Sequence, residues 1–258
     1  MGLLDFSNTG VEKNGLIQMC EINCFGDNGY THISGNASLL AIFTNFLNEA
    51  YNRYADLAMK VLGWNWDDTN FTTVPIATAD LVDGQQDYGL ATTHIQILSV
   101  EIKNAASGSW EVLKEIDEKE FVARGESLSA YYDNAGTAIK GVPYEYNLIG
   151  TSLFLYPTPS YNSTGGLKVR FQRPPSYFAT TDTTKEPGIP DTHHYYLTDY
   201  ASMKYAMLRS LDSANKLIGL INTWEQKTIP EFYGRRNQAR DNVMRPAPAR
   251  GVRSNTAI

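Results

Sequence analysis

The sequence predicts an α+β protein. Its expected architecture is a small helical bundle of long N- and C-terminal helices, an inserted, mainly antiparallel β-sheet domain, and extended terminal arms. Three observations predict it. Apolar residues recur at three- and four-residue spacings over 38–62 and again over 191–232. Between them, over 71–173, short alternating runs are separated by turn residues. At the two ends, 1–36 and 235–258, no period is found. The expected division is an N-terminal arm (1–36), a body (37–234) and a C-terminal tail (235–258).

The first 36 residues hold Asn8, Gly10, Asn14, Gly15, Gly26, Asn28, Gly29 and Gly35, with apolar residues scattered among them. They are expected to be an arm rather than a packed element. Asn36 or Ser38 then caps a long helix by accepting a bond from a free backbone N–H. Leu39, Phe43, Phe46, Leu47, Ala50, Tyr54, Leu57, Ala58 and Val61 make its apolar stripe, and Gly63 suits its end. Asn48, Asn52, Arg53 and Asp56 fall largely on the other face.

Trp64 and Trp66 follow, beside Asp67 and Asp68. They read as indoles plugging a helix-to-sheet joint, or as an aromatic platform for a sugar. Strand texture begins at Phe71–Ile76, turns over Asp80–Gln85 and resumes at Tyr88–Leu90. It continues through His94–Ile102, a polar turn at Ala105–Ser109, and Trp110–Leu113. Asp117 is expected to cap a short helical turn to Val122. The strongest hairpin signal is Tyr144–Ile149, Gly150-Thr151, Ser152–Tyr156. Leu167, Val169 and Phe171 alternate with Lys168 and Arg170, as in an antiparallel sheet with one solvated face.

Pro174, Pro175, Pro187 and Pro190 bracket a polar linker, 176–188. Asp191 can cap the last long helix, whose stripe is Tyr196, Tyr200, Met203, Met207 and Leu211, then Leu217, Ile221 and Trp224. Asp212-Ser213 is a candidate interruption, and Pro230 should kink or end the helix. The two long helices are expected to pair, because each has one apolar stripe to bury.

Charge is distributed unevenly. The chain carries 22 basic and 28 acidic residues, a net −6 with a pI near 5.3. Six of the basic residues (Arg235, Arg236, Arg240, Arg245, Arg250 and Arg253) and one acid, Asp241, lie in the tail. The tail is thus +5 and the remainder −11. A tail without core-forming residues cannot offset its own ordering entropy, so it is expected to dock on an acidic surface. The acidic whole excludes a generic nucleic-acid binder. The tail can touch phosphate, but it lacks interleaved aromatics for base stacking, which favours protein docking. The 16 tyrosines suit wet interfaces or half-buried sheet positions.

No chemistry-bearing motif emerges. G-x-S-x-G, P-loop, dinucleotide and H-E-x-x-H patterns are all missing. Adjacent His193 and His194 on a helix point about 100° apart, a poor geometry for one metal. Cys20 and Cys24 allow a disulfide staple, yet a secreted scaffold carries more cysteines. Sequence proximity of Asp67/Asp68 or of Glu115, Asp117, Glu118 and Glu120 does not make a glycosidase pair. The acids at 115–120 read better as a solvated face or a dock for a neighbour's arginines. The expectation is a non-enzymatic chain with no cofactor and no metal. No stretch approaches the roughly 20 apolar residues of a membrane span, and no N-terminal signal follows Met1, so a soluble protein made in a cytoplasm is expected.

The order of segments resembles the head-to-tail connector (adaptor or neck) proteins of tailed bacteriophages. The resemblance runs through Phe46-Leu47-Asn48-Glu49-Ala50-Tyr51-Asn52-Arg53-Tyr54, Val82-Asp83-Gly84-Gln85-Gln86-Asp87-Tyr88-Gly89-Leu90, Leu153-Phe154-Leu155-Tyr156-Pro157-Thr158-Pro159, Val169-Arg170-Phe171-Gln172-Arg173-Pro174-Pro175 and Ile189-Pro190-Asp191-Thr192-His193-His194. It covers about 38–235 and leaves the N-terminal arm outside. The resemblance implies a structural protein of the virion neck, assembled in the host cytoplasm. It implies a dodecameric homo-oligomeric ring beneath the portal protein, joined below to the tail or the next neck protein. DNA would pass through its channel without sequence-specific binding. In such proteins the helical part packs on the portal and C-terminal tails insert into or along it, a role that Arg235, Arg236, Arg240, Arg245, Arg250 and Arg253 fit. Three rival readings are a carbohydrate-binding or tail-fibre module, a hydrolase with an unrecognised site, and another neck or tail ring, such as a tail terminator.

Overall fold

The structure is a computed structural model that describes residues 5–8, 14–26, 31–61, 67, 69–116 and 131–234. The arginine tail, Trp64 and Trp66, Gly63 and the expected helical turn at 117–122 lie outside the described residues. Helices α1 (Leu16–Phe25), α2 (Ala37–Lys60), α3 (His194–Leu208) and α4 (Ala214–Thr223) flank ten strands. The strands are β1 (Ile76–Leu81), β2 (Asp87–Gly89), β3 (Gln96–Lys103), β4 (Trp110–Val112), β5 (Lys114–Glu115), β6 (Lys140–Gly141), β7 (Glu145–Ile149), β8 (Ser152–Tyr156), β9 (Thr158–Pro159) and β10 (Ser163–Gln172). The class is α+β.

Helix α1 corrects the expectation of an arm reaching residue 36. Its apolar residues run round the whole circumference, and such a helix is stable only when enclosed. Leu16, Ile17 and Cys20 are fully buried, and α1 packs against α3. Glu21, also buried, accepts the amides of Ile33 (2.9 Å) and Ser34 (2.8 Å) and so fixes the turn into α2. That turn ends on Asn36, whose Oδ1 accepts from the N–H groups of Ser38 and Leu39, both at 3.1 Å, a side-chain N-cap.

Helix α2 buries Phe43, Leu47, Ala50, Tyr51, Tyr54, Ala55 and Ala58. These residues join Leu16 and Ile17 of α1, Tyr196, Leu197 and Ala201 of α3, and Leu217 and Ile221 of α4 in one cluster. Helix α3 is central and buried on nearly every side. The expected stripe of the last helix holds at Tyr196 and Met203 and fails at Met207 and Leu211, which are exposed. The chain breaks there: Ser210 takes a φ of 53°, and α4 starts only at Ala214. Asp191 opens a single 3-10 turn (Asp191–His193), and no side chain caps it; the His193 amide bonds to the Pro190 carbonyl instead. After α4 the helix widens to a π turn, Trp224–Thr228, just ahead of Pro230, whose ring opposes ordinary helical packing.

The strands form two four-stranded sheets, ordered β1-β10-β3-β4 and β2-β8-β7-β5, with a separate pair β6-β9. The first is antiparallel throughout, while β5 joins β7, and β6 joins β9, in parallel. Leu81, Val100, Ile102, Leu167 and Val169 of the first sheet meet Tyr88, Tyr146, Leu153 and Leu155 of the second in a common core. The sheet expected from sequence is thus two sheets facing each other. The β7–β8 hairpin pairs Glu145 with Tyr156 through Ile149 with Ser152 around Gly150-Thr151. Strand β1 begins at Ile76 and not at Phe71, just after the donor-less Pro75.

Segment 174–190 is no loose linker. Phe178 is buried, stacked on Phe6 (5.1 Å) and Tyr51 (5.8 Å), and Asn48 of α2 bonds both its N–H and its C=O. The amides of Phe6 and Ser7 donate to Lys185 and Thr183 carbonyls, so the N-terminal residues strap the same segment down.

Candidate functional site

The described residues hold three places where polar chemistry concentrates. The first is a joint built on Asp67, which is fully buried. Its carboxylate accepts from the Tyr51 hydroxyl (3.0 Å), the Asn70 amide (3.1 Å), the Asn70 side chain (2.9 Å) and the Ser176 amide (3.3 Å). Tyr51 in turn accepts the Gly188 amide at 2.6 Å. A Cβ on Gly188 would lie 1.8 Å from Asp67 Oδ1, so only glycine fits. Burial and the neighbouring carboxylate push the Tyr51 phenol far above its ordinary range, which keeps it a donor. Asp67 holds chain together with both carboxylate oxygens, Oδ1 on the Asn70 amide and Oδ2 on Tyr51, the Asn70 side chain and the Ser176 amide. Its partner in the acidic pair considered from sequence, Asp68, lies outside the described residues, as do the tryptophans of the sugar-platform reading.

The second place is a cleft of about 460 Å³ between α2, α3 and α4. Arg53 meets Glu225 through two bonds, Nε to Oε1 at 3.0 Å and Nη2 to Oε2 at 2.8 Å. Tyr196 adds a donor to Glu225 at 3.1 Å. Glu49 accepts from Lys204 (2.8 Å) and Tyr200 (2.9 Å). Arg53 holds the Glu225 carboxyl below its usual range. These are tethers between helices. Beneath the cleft, His193 and His194 are both buried. His193 contacts Tyr54 and Trp224, and His194 Nε2 bonds the Ile189 carbonyl at 3.1 Å. Their partners differ, and among the described residues no group of three metal-ligating side chains forms. Cys20 and Cys24 are free thiols; burial pushes Cys20 well up and Cys24 to about 11.

The third place is the outer face of the first sheet. Leu167 and Val169 turn inward to the shared core, as their alternation predicts, and Lys168 and Arg170 outward, while Phe171, beyond a register shift, is buried against His94. Lys168 Nζ lies 3.6 Å above the Trp110 ring and 3.6 Å from Glu101. Beside them, Val74, Pro75, Ile76, Leu98, Ser99, Arg170 and Phe171 line a groove of about 380 Å³. Val74 is 55% exposed and Leu98 48%. Arg170 has neither an ion pair nor a side-chain hydrogen bond to the described residues. The sequence showed that Arg170 points outward, but not that Val74 and Leu98 would gather around it. Those two become neighbours only through strand order β1-β10-β3.

The six tail arginines singled out from sequence lie at 235–258, outside the described residues. No described helix is long and apolar enough to cross a membrane. Among curated proteins none matches the chain. The model of the SU10 adaptor protein family matches residues 27–251, across both the helical and the β core, and the chain belongs to this family of phage structural adaptor proteins, the head-to-tail class that its segment order resembles.

Proposed function

We propose that the protein is a head-to-tail adaptor of the virion neck, one subunit of a dodecameric ring that docks on the portal protein, joins it to the tail or next neck protein, and surrounds part of the DNA channel. The observation that carries this reading is the family match over 27–251. The described residues support a structural role: their buried carboxylates and histidines are engaged in packing and tethering.

In this reading the tail reaches out of the acidic body. Arg235, Arg236, Arg240, Arg245, Arg250 and Arg253 dock on the portal or an adjacent subunit through charge-assisted hydrogen bonds, bidentate where a carboxylate is presented edge-on. The −11 charge of the remainder disfavours adhesion of DNA to the channel wall and lets it slide. Electron microscopy of the purified protein, alone and mixed with the portal protein of the same phage, tests the reading. A ring that forms on the portal supports it. A protein that stays monomeric and ignores the portal overturns it, and a glycan array then tests the carbohydrate-binding alternative.

A further inference from the structure

We infer that Tyr233 is a positioning residue for the C-terminal tail. It roots the chain in the helical core two residues before Arg235, so that Arg235 and Arg236 are offered to the portal protein from a fixed point. The inference rests on the portal-docking reading of the tail above and adds where that tail is held. The chain after α4 is held along its whole length. Trp224 Nε1 donates to Asp199 at 3.3 Å, Glu225 is gripped by Arg53 and Tyr196, and Ile229 is fully buried. One face thus keeps to the bundle through the π turn and past Pro230. The last hold is Tyr233, which is 2% exposed. Its hydroxyl lies 3.2 Å from that of Tyr54, which itself lies 2.5 Å from His193 Nδ1. Phe232 sets its ring edge-on against both Tyr233 and His193. Helix ends ordinarily fray over their last turn. Here the last described turn carries a buried hydroxyl and two packed rings instead.

Beyond Gly234 the character of the sequence changes at once, to six arginines and one acid over 235–258. The buried anchor stands at that border. An extended chain spans at most about 3.6 Å per residue, so Arg236 stays within about 11 Å of Tyr233, whereas Arg253 can lie as far away as about 70 Å. The six arginines therefore divide by reach. Arg235 and Arg236 share the place of the body, and Arg240, Arg245, Arg250 and Arg253 search the surface around it. A basic pair delivered at a set spot avoids part of the ordering cost that a free tail meets on binding. It also raises the effective concentration of the four arginines that follow. A Cβ on Gly234 would meet no atom within 4 Å, so the chain can be lengthened there without disturbing the body.

The test measures binding of the full chain to immobilised portal protein of the same phage, by biolayer interferometry at one ionic strength. A flexible Gly/Ser stretch of about twelve residues is inserted between Gly234 and Arg235, or, as the control, added after Ile258. Both chains keep every arginine and the whole body. The insertion at Gly234 is expected to weaken binding about tenfold, because effective concentration falls with tether length, and the control to leave it unchanged. Tyr233→Ala, with an unchanged circular dichroism spectrum, is expected to weaken binding as well. Equal affinities of the two lengthened chains overturn the inference. So does a Tyr233→Ala chain that melts lower but binds as before, the result of a merely structural role. In both cases the tail reading stands if deletion of 235–258 weakens binding. A deletion without effect overturns the tail reading and the anchor with it.

Discussion

The Tyr54 hydroxyl lies 2.5 Å from Nδ1 of His193, and the Tyr233 hydroxyl shares it at 3.2 Å. Trp224 and Phe232 close the pocket with edge-on rings. The contact ties α2 to the start of α3 and to the helical residues after the π turn. It also sets a pH limit on the fold. Burial, with His194 adjacent, pulls His193 down to about 4. An unfolded chain takes up that proton near pH 6.5, and the folded one does not. Stability is therefore full above about 6.5 and is lost as pH falls toward about 4, by up to about 3 kcal/mol from this group. Buried His194 shifts in the same direction and adds to the loss. Urea midpoints at pH 7.0, 5.5 and 4.5 should fall in that order, and a flat series contradicts the account.

Removing one oxygen from this pocket should be felt. Tyr54→Phe leaves the shape intact and deprives His193 of its partner, at a cost of about 1–3 kcal/mol. Chemical denaturation at neutral pH measures it. The drop below pH 6.5 should persist, because the ring remains buried.

The Asp67 joint predicts a larger effect. Gly188→Ala forces a methyl carbon onto a buried carboxylate and is expected to cost about 1–3 kcal/mol or more. Asp67→Ala takes the carboxylate acceptor from the Tyr51 hydroxyl and from the Asn70 and Ser176 amides, at a similar or higher cost. Thermal melts of both variants, compared with Asp67→Asn, separate loss of charge from loss of acceptors.

Arg53 and Glu225 should matter less than their geometry suggests. The arginine side chain is 48% exposed, so solvent screens the pair. A double-mutant cycle of Arg53→Ala and Glu225→Ala should give a coupling of about 0.5–1 kcal/mol, falling with added salt.

Deleting 235–258 removes six arginines and should leave the melting temperature unchanged, since the segment carries almost no large apolar residue to add to a core. Portal binding should weaken, and in the intact chain it should fall as salt rises. Unchanged affinity after the deletion contradicts the proposed role of the tail.

The elements most legible from sequence were those with one wet face. The stripe of α2, the β7–β8 hairpin and the alternation of β10 all follow from half-burial, which writes a period into the residues. Helix α1 was hidden for the opposite reason: Gln18 and Glu21 are buried along with Leu16, Ile17 and Cys20, so burial writes no period into its residues. Met207 and Leu211 continue the spacing of α3 but fall where Ser210 turns the chain, so period alone misplaced them. The second sheet was not legible because its pairing of β2 with β8 is non-local. Asp67 stood out in sequence only as one of two adjacent acids beside tryptophans. Its partners at 51, 70, 176 and 188 come from three separate segments, and no local pattern announces them.

The joint at Asp67 has one more consequence. The chain leaves the helices for the strands through Asp67 and Asn70, and returns through Ser176 and Gly188; both crossings are tied to Tyr51, directly or through that one carboxylate. A pull on the sandwich from either crossing reaches α2 at the same spot, where several hydrogen bonds share the load in parallel. Together with the bonds of Asn48 to Phe178 and of Tyr177 to Asn52, they deliver tension arriving from the sheets to the middle of the longest described helix.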